Sequence, residues 1–515
     1  MYTSTFLTLQ TALSGVEAAQ EEMSTTGENI SNVDTLDYEE QSVNLVETNP
    51  LDVAGGDGGY QIGTGVNADG IDNASDPYID SAWRQSNANA NGASTTESYL
   101  QQIETVVGEP SSTGISSELS TFWSNWSELA DNPTSTSAKQ AVIDSGQTLA
   151  QSLNSLASSI SGSDPSSVLS QAQTQYSDLM AGPTGSGASG GTVYNDAYEI
   201  SSLNKQIVAA QQSGINANTL IDQRNAAIDD LSSLGNTSVT ANRDGSVSVY
   251  FGGVTSTALV ADPTANGSDA GSADPGNNFS GSWTTAWQSQ YSTAASAATA
   301  AASNGTPASA SALASTVGGT IGSLIGLTGY SASGIASPTN AATAIGAIGT
   351  LSASLDSFTA DLVSEVNDPA AAGSNGTKVP LGTAFFSQAG TTAATIAVNP
   401  ALLASPSTLD AGSTGNSGNN DIALAEAANS GGTADDAFDS FVEQIGNLVA
   451  DAKDDVSSTS AVSTQVTDQR DSAEGVDLSQ EMANLVSEQQ AYQASAKVMN
   501  AFSTVMDALL ATVGS

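Results

Sequence analysis

Neither cysteine nor histidine occurs in the 515-residue chain. Their absence excludes disulfides, thiol nucleophiles, zinc sites of the usual ligand type, histidine general bases and Ser-His-Asp triads. Bases are scarce too: nine Lys and Arg stand against 54 Asp and Glu, a formal net charge of −45. Charged residues make up only 12% of the chain, against about 25% in ordinary domains. Bases are therefore depleted rather than acids enriched. Phosphate backbones and anionic lipid are both met by clustered Lys and Arg, so neither nucleic acid nor a membrane is an expected partner. A pI near 4.1 suits an acidic medium, where carboxylates take up protons and the net charge falls toward zero.

Aromatics are 5% and hydrophobic residues 39%, which predicts an interior of Ala, Leu, Val and Ile on helices. No apolar run reaches the roughly 18 residues a membrane helix needs. The greasiest stretch, Thr316–Gly329, is broken by Gly318, Gly319, Gly322 and Gly326. No basic segment followed by an apolar run opens the chain, so a protein of this sequence that left the cell would be expected to use a route other than a cleaved signal peptide. No GxxxxGK[ST] phosphate loop is present, and Asn266–Asn278 lacks the spacing of a calcium loop. No cofactor and no metal are expected.

What is present is a seven-residue apolar repeat at both ends. In front, Phe6, Leu13, Gln20 and Gly27 form one row and Leu9, Val16, Met23 and Ile30 another. At the back, Leu478, Leu485, Tyr492, Met499, Met506 and Val513 are accompanied by Met482, Gln489, Ala496, Ser503 and Leu510. Such paired rows predict coiled-coil helices over Thr5–Ser31 and Leu478–Val513, each the natural partner of the other. The Gln, Gly and Ser positions make a weak seam, so the ends are expected to be marginal alone and to gain order as copies pack.

Between them the periodicity predicts helices over Ser98–Val107, Ile115–Ala130, Ser135–Ser161, Ser166–Met180, Val193–Gln212, Ala217–Leu234, Ala341–Val366, Ala401–Ala404 and Ala434–Arg470. Gly235 is a candidate left-handed stop for the sixth of these. Glu39–Asn49 reads as extended and Leu51–Asn91 as loop with short strands. Ser238–Ala241 and Ser246–Phe251 flank an Arg243-Asp244-Gly245 tip and predict a β-hairpin, with Thr257–Val260 as a third strand. Ala394–Val398 is a further short strand. Phe122, Trp123 and Trp126 are expected in the core. Asp222, Arg224, Asp229 and Asp230 are expected to make helix-surface and turn contacts, with one Asp–Arg pair. Trp283, Trp287 and Tyr291 are expected to cover a small insertion.

The expected fold class is mainly α with a small β component, a nested multidomain rod with paired N- and C-terminal coiled-coil helices. Residues 1–50 and 475–515 would form the terminal assembly domain. Residues 51–261 and 308–474 would form a helical middle with a small hairpin region, and 262–307 a small insertion or low-complexity loop.

Three stretches resemble the bacterial flagellar axial proteins and, within them, the hook-associated protein 1 family. Asn29-Ile30-Ser31-Asn32 followed by Thr35-Leu36-Asp37-Tyr38 resembles the turn after the first helix, with Leu36 and Asp37 in place of the usual Pro and Gly. Glu481-Met482, Leu485 and Gln490-Ala491-Tyr492-Gln493-Ala494 resemble the closing helix. Leu220-Ile221-Asp222-Gln223-Arg224 with Asp229-Asp230-Leu231, and Val398–Leu403 with Asn419–Ala427, resemble the middle of the hook–filament junction protein. The resemblance implies a non-enzymatic structural adaptor between hook and filament, present as a homo-oligomer ring. Its implied partners are the hook protein, the second hook–filament junction protein and a cytoplasmic export chaperone on the C-terminal helix. The implied location is the extracellular flagellum. The expected assembly interface is Phe6, Leu9, Leu13, Val16, Met23, Ile30, Asn32, Tyr38, Leu478, Met482, Leu485, Tyr492, Ala496, Met499, Met506 and Leu510. A hook or distal-rod subunit is the nearest alternative. An acidic surface-layer protein or adhesin, and a hydrolase using a carboxylate pair, stand further off.

Overall fold

A computed structural model describes residues 3–35, 38–53, 60–182, 190–261, 282–303, 310–331, 334–335, 344–368, 382–414, 416 and 418–513. The chain is mainly helical and carries only small sheets. Helix α1, Thr3–Asn32, leads into strands β1 (Gln41–Glu47), β2 (Leu51–Val53), β3 (Tyr60–Ile62) and β4 (Val66–Asn73). Strands β1 and β4 pair antiparallel from Gln41↔Asn73 to Glu47↔Val66, with a register shift between Asn44 and Leu45. Strands β2 and β3 form a second small ribbon.

Helix α2 runs Pro77–Val107, so it starts inside the stretch whose Gly, Asn and Asp content reads as loop. Two local features start it: the Asp76 side chain accepts from the Tyr78 amide, and Pro77 takes the first helical position, where a missing N–H costs nothing. Its small residues serve close packing. A Cβ on Gly92 would stand 3.1 Å from the Gly319 carbonyl oxygen, and Ser323 Oγ donates to the Gly92 carbonyl at 2.6 Å.

Helices α3 (Ile115–Asp131), α4 (Thr136–Ser161) and α5 (Val168–Met180) follow at the expected positions. Ser135 and Ser167 cap α4 and α5 through their hydroxyls. Next come α6 (Thr192–Gln212), α7 (Asn218–Leu234) and the hairpin β5 (Thr237–Ala241) and β6 (Val247–Phe251), paired Thr237↔Phe251 through Ala241↔Val247. Gly235 does end α7, but in extended backbone rather than the left-handed form. What it needs is space, since a Cβ there would meet the Phe251 ring at 2.8 Å. The expected third strand reduces to a single bridge between Val249 and Val260.

Within the 262–307 stretch, read from sequence as an insertion or loop, Ser282–Ser303 is helix α8. Its Trp283, Trp287 and Tyr291 are buried. Three aromatics spaced four apart make one apolar stripe, and an Ala-rich remainder has high helix propensity. Residues 262–281 and 304–307 lie outside the described residues. Helices α9 (Ser311–Val317) and α10 (Gly319–Thr328) then lead to the three-stranded sheet of β7 (Gly329–Ser331), β8 (Gly334–Ile335) and β9 (Ala344–Ile345), in order β8-β7-β9. Helices α11 (Ala347–Asn367), α12 (Pro400–Ala404), α13 (Asp421–Ala427), α14 (Thr433–Glu474) and α15 (Leu478–Val513) complete the chain. The expected strand at Ala394–Val398 is a lone bridge between Phe386 and Val398.

Two apolar cores lie in the middle of the molecule. The larger joins α2–α5, α11, α13 and α14 around Phe122, Trp123, Trp126, Phe385 and Phe438. Trp123 Nε1 donates to Asp435 at 2.9 Å, which satisfies one polar edge of this packing. The smaller surrounds Phe251, Trp283, Trp287 and Tyr291 between α6, α7, the hairpin and α8–α10. Neither core includes a residue before Tyr99 or after Ala452. The terminal module, α1, β1–β4 and α15, is therefore joined to the middle by something other than a shared apolar core.

Candidate assembly interface and its joint to the middle

Helices α1 and α15 lie side by side and antiparallel. A Cβ on Gly15 would stand 3.0 Å from Ser495 Oγ. Thr26 Oγ1 donates to Glu488 Oε1 at 3.0 Å, and Asn29 Nδ2 donates to Glu481 Oε2 at 3.2 Å. Rising numbers on α1 thus meet falling numbers on α15.

One predicted row on each helix faces the partner, and the other does not. On α1, Val16 is buried and Leu9, Met23 and Ile30 are half-buried. Their companions are Ala12, Ala19 and Thr26, all buried, rather than Leu13, Gln20 and Gly27. Leu13 is 44% exposed. On α15, Leu485, Tyr492, Met499 and Met506 are half-buried, alongside buried Glu481 and half-buried Glu488, Ser495 and Phe502. The expected companions Met482, Gln489 and Ser503 face solvent, and Ala496 sits at the edge. Each second row is displaced by one residue from the expected one. The reason is chemical: counting large apolar residues passes over a seam of Ala, Gly, Thr and Ser, which brings helices close, and over carboxylates that hydrogen-bond across it. Asn32 and Tyr38 are half-buried and Leu478 is exposed. The side chains of Phe6 and Leu510, and the Leu36-Asp37 dipeptide, lie outside the described residues.

The turn after α1 is organised by Asn29, which is 2% exposed. Its carbonyl oxygen accepts from the Gln41 amide at 3.1 Å and the Tyr38 hydroxyl at 2.9 Å. Its amide donates to the Gln41 carbonyl at 2.8 Å as well as to Glu481. One side chain thus ties α1, β1 and α15 together.

The outward surface of the pair is apolar on two shoulders. At about 100° per residue, Met482 and Val486 fall on one side of the α15 seam and Val498 and Val505 on the other, while Leu478, the first residue of α15, continues the seam row beyond the end of the contact. All five are exposed.

Where the module meets the middle, the contacts are polar. The Glu40 amide donates to the Glu474 carbonyl at 2.8 Å, and the Ala74 amide to the Glu40 carbonyl at 2.9 Å. The Asp76 amide donates to Glu474 Oε1 at 2.7 Å. Asn225 Nδ2 donates to Glu39 Oε1 at 3.0 Å, Asn218 Nδ2 to the Ile71 carbonyl at 2.9 Å, and Asn73 Nδ2 to Asp222. Beneath these lies a buried ionic cluster. Arg84 Nε is 2.6 Å from Asp229 Oδ1, and Arg470 Nη1 is 2.8 Å from Asp229 Oδ2. Arg470 also reaches Asp80 at 3.4 Å and Glu474 at 3.1 Å, with its guanidinium 4.8 Å from the Trp83 ring centre. Burial raises the carboxyl pKa of Asp80 and Glu474, and the two guanidiniums oppose that shift at Asp80. Desolvation pushes Asp222 up to about 7, helped by the Glu39 charge.

Sequence reading places Asp222, Arg224, Asp229 and Asp230 at the surface. Three of them are buried, and only Asp230 is exposed. The Asp–Arg pairs join Asp229 to Arg84 and Arg470, on other helices. Arg224 instead donates to the Gly245 carbonyl of the hairpin at 3.0 Å, and desolvation lowers its pKa to about 10. The missed partners, Arg84 and Arg470, carried one signal: two of only nine bases, each on a long acidic helix. Among the described residues no cluster of three or more Asp and Glu could hold a metal, and no helix is long and apolar enough to cross a membrane.

Residues 100–181 and 187–386 match the helical domain of flagellar hook-associated protein FlgK, more than half of the chain. The chain belongs to the FlgK family. Residues 469–512 also match the C-terminal region of the flagellar basal body rod FlgEFG proteins. The chain is 31% identical over 253 residues to flagellar hook-associated protein 1 of Bacillus subtilis, covering 47% of this chain and 46% of that protein. It is 25% identical over 236 residues to the Salmonella typhimurium protein of the same name, covering 45% and 39%. The matched part thus spans about half or less of these relatives. The solved flagellar hook junction protein FlgK from Burkholderia pseudomallei shares 19% identity, covering 60% of this chain and 46% of that one at a TM-score of 0.38.

Proposed function

We propose that this FlgK-family chain is a non-catalytic structural subunit of the bacterial flagellum that joins hook to filament. The carrying observation is the antiparallel α1–α15 pair, whose two exposed apolar shoulders have no cover within one chain. A subunit in a ring or tube meets a different neighbour on each side, through two unlike surfaces. Met482 and Val486 supply one such surface, and Val498 and Val505 supply the other. Leu13 adds an apolar residue from α1.

The relatives named hook-associated protein 1 and the rod-protein match at 469–512 support this reading. So does the chemistry: without His or Cys, the usual general bases and thiol nucleophiles are missing. In this proposal Leu9, Val16, Met23, Ile30, Leu485, Tyr492, Met499 and Met506 hold the terminal pair, while Met482 and Leu13 face neighbouring copies. Phe6, Asn32, Tyr38, Leu478, Ala496 and Leu510 remain assigned to assembly. Hook protein, the second junction protein and an export chaperone on α15 are the proposed partners. Residues 1–50 and 475–515 act as the assembly domain. Gene deletion with electron microscopy tests the proposal. Hooks without filaments are expected, and normal filaments on the mutant would overturn it. Removal of residues 478–515 should leave a folded middle that neither assembles nor binds a chaperone.

A further inference from the structure

We propose that Glu39, Asn73 and Asp222 form a proton-held latch between the terminal module and α7, closed in mild acid and loosened when both carboxyls ionise. Glu39 lies in the segment that enters β1, Asn73 ends β4, and Asp222 projects from α7. Glu39 is 3% and Asp222 8% exposed. The Asn73 amide stands between the two carboxyls: Asn73 Nδ2 donates to Asp222, and the same side chain opposes the burial that raises the Glu39 pKa. Asn225 supplies a second donor to Glu39.

This cluster holds two buried acceptors with no donor, Glu39 Oε2 and Asn73 Oδ1. Such orphans are costly when buried. One carboxyl proton supplies the missing donor and removes one of two facing negative charges. Among the described residues no Lys or Arg pairs with Asp222. The charged groups facing the latch are Asp80 and Arg84 on α2, Arg224 and Asp229 on α7, Arg470 and Glu474 on α14, and Glu40 in the crossing segment. Tyr38, Glu28 on α1 and Glu481 on α15 lie just beyond. Arg84 and Arg470 are engaged by Asp80, Asp229 and Glu474. Arg224 is turned to the hairpin.

The carboxyl pKa of Asp222 is raised above its unfolded value, to about 7. Stability from such a group is present in acid and lost as pH rises through the folded value. Because neither apolar core spans this joint, the loss falls on the attachment of the module rather than on the middle.

The experiment is hydrogen exchange of the purified full chain between pH 5.5 and 8.5, corrected for intrinsic exchange chemistry. It reads the joint amides of Glu40, Ala74 and Asp76. Wild-type protection should fall from pH 5.5 to about 7 by up to about tenfold per pH unit, the slope of one linked proton, and level off above pH 7 once the carboxyl is ionised in closed and open forms alike. Asp222→Asn should keep the joint protected at pH 8.5, since an amide imitates the protonated acid. Glu39→Gln, an independent variant, should flatten the slope as well, and Asp230→Asn on the exposed face should leave it as in wild type. A flat wild-type profile, or an unchanged slope in a folded Asp222→Asn or Glu39→Gln protein, would overturn the latch. The readout needs no assembly, so it stands apart from the junction proposal.

Discussion

Arg470 on α14 and Asp229 on α7 are joined by a 2.8 Å ion pair in which both side chains are almost fully buried. That contact, with Arg84 on the other oxygen of the same carboxylate, fastens three helices beneath the terminal module. A buried pair gains little over an apolar substitute, but breaking it leaves uncompensated charge at a cost of about 3–5 kcal/mol. Arg470→Ala should therefore destabilise the protein by about 3 kcal/mol or more, read as a drop in the urea midpoint followed by tryptophan fluorescence. Arg470→Lys should recover only part, because an ammonium cannot reproduce the fork that reaches Asp80, Asp229 and Glu474 together.

Asn29 satisfies four polar groups from three segments. Asn29→Ala would leave the Gln41 amide and carbonyl without this partner, at about 1–3 kcal/mol. The expected signature is local. Exchange protection around Tyr38–Gln41 falls, while the melting of the middle is unchanged.

Gly146 on α4 marks a tight contact with Phe385 of the 382–399 segment and with Phe122 of α3. A Cβ there would lie 2.5 Å from Phe385 Cε1 and 3.1 Å from Phe122 Cε2. Both rings are fully buried and cannot yield without disturbing the aromatic cluster. Gly146→Ala should cost about 1–3 kcal/mol by overpacking, against the helix-propensity gain of up to about 1 kcal/mol that the same change gives on an open helix face. Thermal melting of the two proteins decides the sign.

Val498 and Val505 face solvent in the single chain. Replacing both with Ser should change stability by no more than about 0.5 kcal/mol, yet abolish incorporation into the flagellum if that shoulder meets a neighbouring copy. Melting of the purified protein and motility of the strain separate the two effects. Normal swimming would remove this shoulder from the interface.

Asp196 on α6 is raised to about 7 by burial and by the Asp230 and Glu199 charges. Its sign matches that of the latch: the contribution is complete below the unfolded value near 3.9 and disappears as pH rises through 7. Asp196→Asn should leave stability unchanged near pH 4 and raise it at pH 8. Equal effects at both values would contradict the assignment.

The sequence showed the helices where large apolar residues recur, as in α3 with Leu119, Phe122 and Trp126, and it showed the terminal pair. It missed α2 before Ser98 because Asn, Ser and Gly read as loop unless a neighbour uses their small size. Here α10 does so at Gly92. The seam between α1 and α15 was half legible. Leu485, Tyr492 and Met499 stand out, whereas Ala12, Ala19 and Ser495 acquire their meaning only when two backbones approach. The ionic cluster was the least legible, because Asp80, Asp229 and Arg470 lie far apart in sequence and ordinary charges give no hint of burial.

By itself the sequence determined helix period, the missing chemistry of His and Cys, and the pairing of the two ends. Those are local or compositional properties, fixed by the backbone geometry and by which functional groups exist. The tertiary structure alone decided which second row faces the partner, that the pair runs antiparallel, and that the module is attached by buried polar groups rather than by a core. Each of those depends on distances between residues remote in the chain, where desolvation and hydrogen bonding are decided by what another segment brings.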